Sequence, residues 1–244
     1  MTIDDMCVSC AAVQYVLIAF ITVSPKSIGR TYQSELRQQQ AEATRRRVLV
    51  AASELFAADG YARTTMARIA KEAGVSAETV QGHGPKAALL IAAVEYAAFG
   101  VAGEENIMNL EIGRTLLGIE DFDAAVDFIV DAQAEVHQRT AALYRALNAG
   151  ALADPELERF RKALIAGVDE QGRRMLSLFR DRGWVRDDIS FDDVAATAAV
   201  IASVDSYLRL IERPGWTLDA YRAWLRRASV DAVRGLPREA VKSS

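Results

Sequence analysis

From Glu42 onward, apolar residues recur at helical spacing. Val48, Ala52, Leu55 and Phe56 stand four, three and one apart, with Arg45, Arg46 and Arg47 at the N-terminal end of the stripe. Asp59-Gly60 predicts the end of this helix, because glycine takes a left-handed C-terminal position without penalty. Thr64-Thr65 offers capping hydroxyls to a second, short helix, Met66 to Ala73. That helix carries Met66, Ile69 and Ala70 on one face and Arg68 and Lys71 outside. Gly74 stops it, and Ser76 caps a third helix two residues later. A fourth runs from Pro85 to about Val101, burying Leu89, Leu90, Ala93 and Val94. After a polar, glycine-bearing stretch from Gly103 to Gly118, helical phase returns over Asp121 to Ala149. Asp154-Pro155 restarts a long helix to Gly183, with Leu157, Phe160, Leu164, Val168, Met175 and Leu178 on one stripe. Phe191 to Ile211 reads as one helix with almost no polar face, which predicts burial on several sides or a dimer interface. Thr217 caps the last helix, with Leu218, Tyr221, Leu225 and Ala228 inward.

The expected fold is all-α: an N-terminal three-helix helix-turn-helix domain followed by a C-terminal helical bundle. Ala, Leu, Arg and Glu dominate the composition, which agrees with it. The most apolar window, residues 11–23, is 13 residues long, short of the roughly 20 that span a bilayer. Acidic Asp4 and Asp5 precede it, where a signal peptide wants basic residues. Two readings of the stretch stand: an element packing on the body, or a poorly ordered extension, the second being preferred. No membrane partner is expected. The expected division is an extension at 1–41, a first helical domain at 42–101, a second helical domain at 102–236 and a tail at 237–244.

The net charge of −4 excludes a uniformly basic nucleic-acid coat. Between Arg30 and Arg47, however, five arginines stand against two glutamates. Any DNA contact must therefore be local. Cys7 and Cys10 form one C-x-x-C without the second pair or histidine that a zinc site needs, so no metal is expected. The thiols fit a reducing cytoplasm. The two histidines, His83 and His137, form no Glu-x-x-His pair, and nucleotide-loop and nucleophile-elbow motifs are absent. Neither catalytic residues nor a cofactor are expected.

A short helix, the turn Ala73-Gly74-Val75-Ser76 and a second short helix make a helix-turn-helix, whose outer member can enter a major groove about 12 Å wide. The run Arg-Val-Leu-x-Ala-Ala-x-Glu-Leu-Phe-Ala-x-x-Gly-Tyr-x-x-Thr-Thr, followed by Ile-Ala-x-x-Ala-Gly-Val-Ser-x-x-Thr-Val, resembles the DNA-binding domain of TetR-family regulators across about residues 42–101. The C-terminal Gly-Trp-Thr-Leu-Asp-x-Tyr-x-x-Trp-Leu run is similar to the ends of actinobacterial members, a weaker signal. After Thr79-Val80 the chain departs from the family. Gln81-Gly82-His83-Gly84-Pro85-Lys86 lacks the usual aromatics, and its glycines predict a reading helix that ends early.

The resemblance implies a cytoplasmic homodimer that binds a double-stranded DNA operator and is released by a small, lipophilic inducer. Candidate DNA-side residues are Arg45, Thr65, Arg68, Ala77, Glu78, Thr79, Gln81, His83 and Lys86. Thr65 caps a helix whose free N–H groups suit a phosphate. Lys86 resembles the family lysine that meets backbone phosphate. Gln81 has the donor–acceptor pair that matches adenine, whereas Glu78 suits a cytosine amine or simply the helix dipole. Arg45 is as readily a solvated face as a phosphate contact. Gln133, His137, Thr140 and Gln171 interrupt apolar phase and are candidate pocket groups, against a bland reading as satisfied core residues. The alternative function is a helical ligand- or partner-binding protein whose sequence-specific DNA recognition has decayed.

Overall fold

The computed structural model describes residues 28–99 and 111–235, all ten described elements being helices. The chain divides into two units between Glu105 and Asn106. The expectations placed on Cys7, Cys10, residues 11–23 and the 237–244 tail lie outside the described residues.

In the first unit, α1 (Ile28–Arg63) begins upstream of the Glu42 start that periodicity suggested. Residues 37–43 of it are mostly exposed, so no apolar stripe marks them in the sequence. Its regular part ends where predicted, at Gly60 (φ 76°, ψ 174°). Thr64, fully buried, then ties the chain back, its hydroxyl donating to the Gly60 carbonyl at 2.9 Å and lying 3.2 Å from that of Leu55. α2 (Met66–Ala73), α3 (Ala77–Gln81) and α4 (Lys86–Phe99) follow. Val48, Ala52 and Phe56 of α1, Ile69 of α2, Val80 of α3 and Leu89, Leu90 and Ala93 of α4 form one core. α1 packs on both α2 and α4, and α2 carries α3.

The second unit contains α5 (Glu111–Gly118), α6 (Phe122–Ala151), α7 (Pro155–Asp181), α8 (Phe191–Ile201), α9 (Val204–Ile211) and α10 (Leu218–Arg234). Asp121, Asp154, Ser190, Ser203 and Thr217 cap helices by accepting backbone N–H bonds. Phe122, Phe179 and Trp184 meet edge to face in the core. Along α6, Asp123, Asp127 and Asp131 face Arg226 and Arg222 of α10 in a ladder of ion pairs.

One expectation is corrected here. Phe191 to Ile211 is not one helix: it breaks at Ala202-Ser203 into α8 and α9, bent by 44°. The Ser203 hydroxyl accepts from the Ser206 N–H at 3.2 Å and donates to the Val200 carbonyl at 2.8 Å, offering the backbone an alternative to continuous helix. Within the single chain the interior-packing alternative does not hold for the whole stretch, since Val200 is 69% exposed, which leaves the dimer-interface alternative. The stripe on α7 likewise surfaces at its middle, where Val168 is 53% exposed; Ile165, off the predicted stripe, is 36% exposed.

Candidate nucleic-acid interface

Thr65 caps α2 by accepting from the Arg68 N–H at 3.3 Å. Gly74 ends it in the left-handed region (φ 63°, ψ 41°), and the Val75 N–H reaches back to the Ala70 carbonyl at 3.0 Å. Only Val75 and Ser76 separate this end from α3. Ser76 caps α3 by accepting from the Thr79 N–H at 3.2 Å. Val80, with no exposed surface, anchors the inner side of α3 in the core, while Glu78, Gln81 and Gly82 are exposed and Ala77 and Thr79 half-buried. The outer helix is therefore held by one plug and presents its opposite side to solvent.

What that side offers is narrower than the residue types suggested. The Thr79 hydroxyl lies 3.1 Å from that of Ser76, a local bond that competes with any base contact. A backbone N–H and the Ser76 hydroxyl hold the Glu78 carboxyl below its ordinary pKa, so it is anionic at neutral pH and complements the N-terminus of α3. Among the described residues, the Gln81 side-chain amide makes no hydrogen bond, unlike the Thr79 hydroxyl and the Glu78 carboxyl. Beyond it, the His83 and Gly84 N–H groups bond to Val80 and Gln81 carbonyls, and Gly84 turns at φ 115°. The early stop expected from the glycines is present: α3 has 5 residues.

The candidate phosphate cations are differently committed. Lys86, the first residue of α4, donates to the Tyr61 carbonyl at 2.9 Å and sits 4.1 Å from the centre of the Tyr61 ring. Arg68 pairs with Asp59 at 2.6 Å and donates to the Arg63 carbonyl at 3.2 Å. Arg45 remains exposed on α1, where it and half-buried His83 border one cleft. Tyr61 and Asp59 were not singled out as site residues, although both lie in the Asp-Gly-Tyr run that ends α1. The aromatic after that glycine is the signal that was available.

Residues 48–93 match the family model described as bacterial regulatory proteins, tetR family. The chain carries a TetR-family N-terminal domain. Its match spans the α1–α4 core just described and includes the whole of α2, the turn and α3. No curated protein sequence matches the chain. Among solved structures, the chain is similar to a TetR-family transcriptional regulator, PfmR, from Thermus thermophilus (23% identity, TM-score 0.56, covering 80% of this chain and 98% of that one). It is also similar to NalD, the secondary repressor of the MexAB-OprM multidrug efflux pump in Pseudomonas aeruginosa (17%, 0.56, 79% and 97%). A third is a transcriptional regulator from Saccharomonospora viridis in complex with choline (20%, 0.57, 75% and 93%). At such identities the likeness establishes the fold, a TetR-type helical domain followed by a helical second unit.

Outside the TetR-type domain, the pocket candidates are scattered over α6 and α7. Gln133 donates its amide to the Ala202 carbonyl, which the α8–α9 break leaves free. Buried His137 places Nδ1 at 2.9 Å from the Tyr221 hydroxyl, between the rings of Tyr207 and Tyr221. Burial lowers its pKa to about 4, so its imidazole is neutral at physiological pH. Burial pushes the Tyr221 hydroxyl the other way, so it too stays neutral. Thr140 donates to Val136 within its own helix. Gln171 keeps a buried side-chain oxygen without a hydrogen-bond donor among the described residues. Tyr207 and Tyr221, which complete the histidine's surroundings, were read in the sequence as packing or not at all.

Proposed function

We propose that the protein is a ligand-responsive transcriptional repressor that binds a DNA operator through α3 and is released from it by a small molecule. The observation that carries this reading is the attachment of α3. Its inner residue Val80 is locked into the TetR-type domain, and its outer residues Ala77, Glu78 and Gln81 remain available to base edges. The DNA-binding domain spans 42–101, extended by the helical residues from Ile28, and the ligand-binding and dimerisation domain spans 102–236. A homodimer is supported by the exposed apolar residues Ile165, Val168 and Val200 on α7 and α8. A second copy covers them and sets the spacing of two reading helices. The inducer is lipophilic, with Gln133, His137, Thr140 and Gln171 as its candidate polar contacts. No single described helix is long and apolar enough to cross a membrane.

A mobility-shift titration against DNA upstream of the protein's own coding region tests this. Specific retardation, resisting an excess of unrelated duplex, is the expected result. The short α3 and the internal bonds of Thr79, Arg68 and Lys86 favour one other reading, a helical ligand- or partner-binding protein with decayed sequence recognition. Salt-sensitive but sequence-blind binding supports that alternative.

A further inference from the structure

Arg63, Arg68 and Lys86 all donate into the segment 59–63, where α1 hands over to α2. Arg68, in the first turn of α2, gives one guanidinium N–H to the Asp59 carboxylate at 2.6 Å and another to the Arg63 carbonyl at 3.2 Å. Arg63 donates to the Asp59 carbonyl at 3.0 Å, and Lys86 to the Tyr61 carbonyl at 2.9 Å. Among these contacts, only the Asp59 carboxylate carries a negative charge. The carbonyls leave the cations charged, whereas Asp59 cancels one of them. Thr65 caps α2 at the same junction, the end of the first helix of a helix-turn-helix, which in such folds crosses the phosphate backbone. The Asp59–Arg68 pair does little for the fold. Its side chains are 29% and 48% exposed, and an ion pair in water gains little more than the side-chain freedom it costs. Glu72 stands four positions after Arg68 on α2, the less favourable order for a helical pair, so it is a poor substitute for Asp59. What the pair does fix is the guanidinium. A phosphate reaching Arg68 must compete with a carboxylate for the same donors.

We propose that Asp59 is an autoinhibitory partner of Arg68: it occupies the guanidinium in place of a backbone phosphate and holds down the affinity for every duplex, whatever its sequence. Paired with Asp59, Arg68 releases no counterion from DNA; freed, it neutralises one phosphate. The proposal rests on the DNA-binding reading above but not on its preference for an operator.

The test is the affinity of the full chain for an unrelated duplex, read by fluorescence anisotropy across a salt series. Wild type, Asp59→Asn, Arg68→Gln and the double variant are compared. Asp59→Asn should bind roughly five- to tenfold more tightly at about 0.1 M salt. It should also steepen the fall of log affinity with log salt by about 0.9 for each chain bound, the worth of one phosphate contact. Asp59→Ser, which removes the same charge, should reproduce the gain, so a folding fault peculiar to asparagine does not decide the outcome. Arg68→Gln should cancel the gain, and should cost more in the Asp59→Asn background than in wild type. Equal costs in the two backgrounds mean that the charges merely add, and overturn the proposal. Wild-type affinity and slope in both Asp59 variants overturn it too, as does a gain that survives Arg68→Gln. If no variant binds any duplex even at low salt, the DNA-binding reading falls and the proposal with it. A wild type that binds all duplexes alike refutes only the operator.

Discussion

Thr64 and Thr65 are adjacent, chemically identical and put to different use. Thr65 is exposed and caps α2; Thr64 is buried and joins the end of α1 to its own preceding turns. Thr64→Val should cost about 1–2 kcal/mol in urea unfolding, through the lost bond and the carbonyl left behind. Thr65→Ala should cost about 1 kcal/mol, the ordinary value of a cap. His137 gives a pH prediction. Its folded pKa of about 4 lies below the ordinary histidine value of 6.5, so the unfolded chain binds more protons between those pH values. The stability that neutral His137 permits is complete above pH 6.5 and is lost as pH falls through 6.5 toward 4. The loss is on the order of 3 kcal/mol from a shift of this size. Wild type and His137→Gln, unfolded at several pH values, should differ in slope over that window. An equal slope in both would remove His137 from the account. At this scale, the caps were legible because they are local chemistry: a hydroxyl two or three residues before the N–H it accepts. The partners of Lys86, Arg68 and His137 were not, because Tyr61, Asp59 and Tyr221 lie 25, 9 and 84 positions away in sequence.

α3 owes its length to the two glycines that follow it, and the two are not equivalent. Gly82 is right-handed (φ −62°, ψ −18°), and an added Cβ meets only the Thr79 and Glu78 carbonyl oxygens, at 3.3 and 3.5 Å. Gly82→Ala should therefore keep the fold and firm the end of α3, raising stability by up to about 0.5–1 kcal/mol. Gly84 has φ 115° and would press a Cβ to 3.3 Å from that of Ala88. Gly84→Ala should lower the melting temperature, the opposite sign from a change of one residue type two positions away. The helix-turn-helix was readable almost to the residue, since Thr65, Gly74 and Ser76 punctuate it. The α8–α9 break was not. An apolar run with helical phase gives no sign that Ser203 and Ser206 will take over the backbone carbonyl of Val200. The upstream turns of α1 were missed for the reverse reason: a solvated helix leaves no apolar period to read.

Periodicity reports which side of a helix is apolar but not what covers it, so the sequence left Val200 between core and dimer interface, and both it and Val168 are exposed in the single chain. The homodimer proposed here assigns that cover to a second copy. Val168→Asp should then convert the dimer to monomer in sedimentation equilibrium while leaving helicity unchanged, and it should weaken operator binding because two linked reading helices become one. A monomeric wild type would contradict the dimer. The claim on which everything else depends is that α3 reads base edges. Its most direct test is the affinity of wild type and Gln81→Ala for the protein's own upstream DNA and for unrelated duplex across a salt series. Wild type should prefer the upstream site, and Gln81→Ala should lose about 1–3 kcal/mol of that preference while its salt slope stays the same. Equal affinity of wild type for both duplexes at every salt concentration would contradict the account.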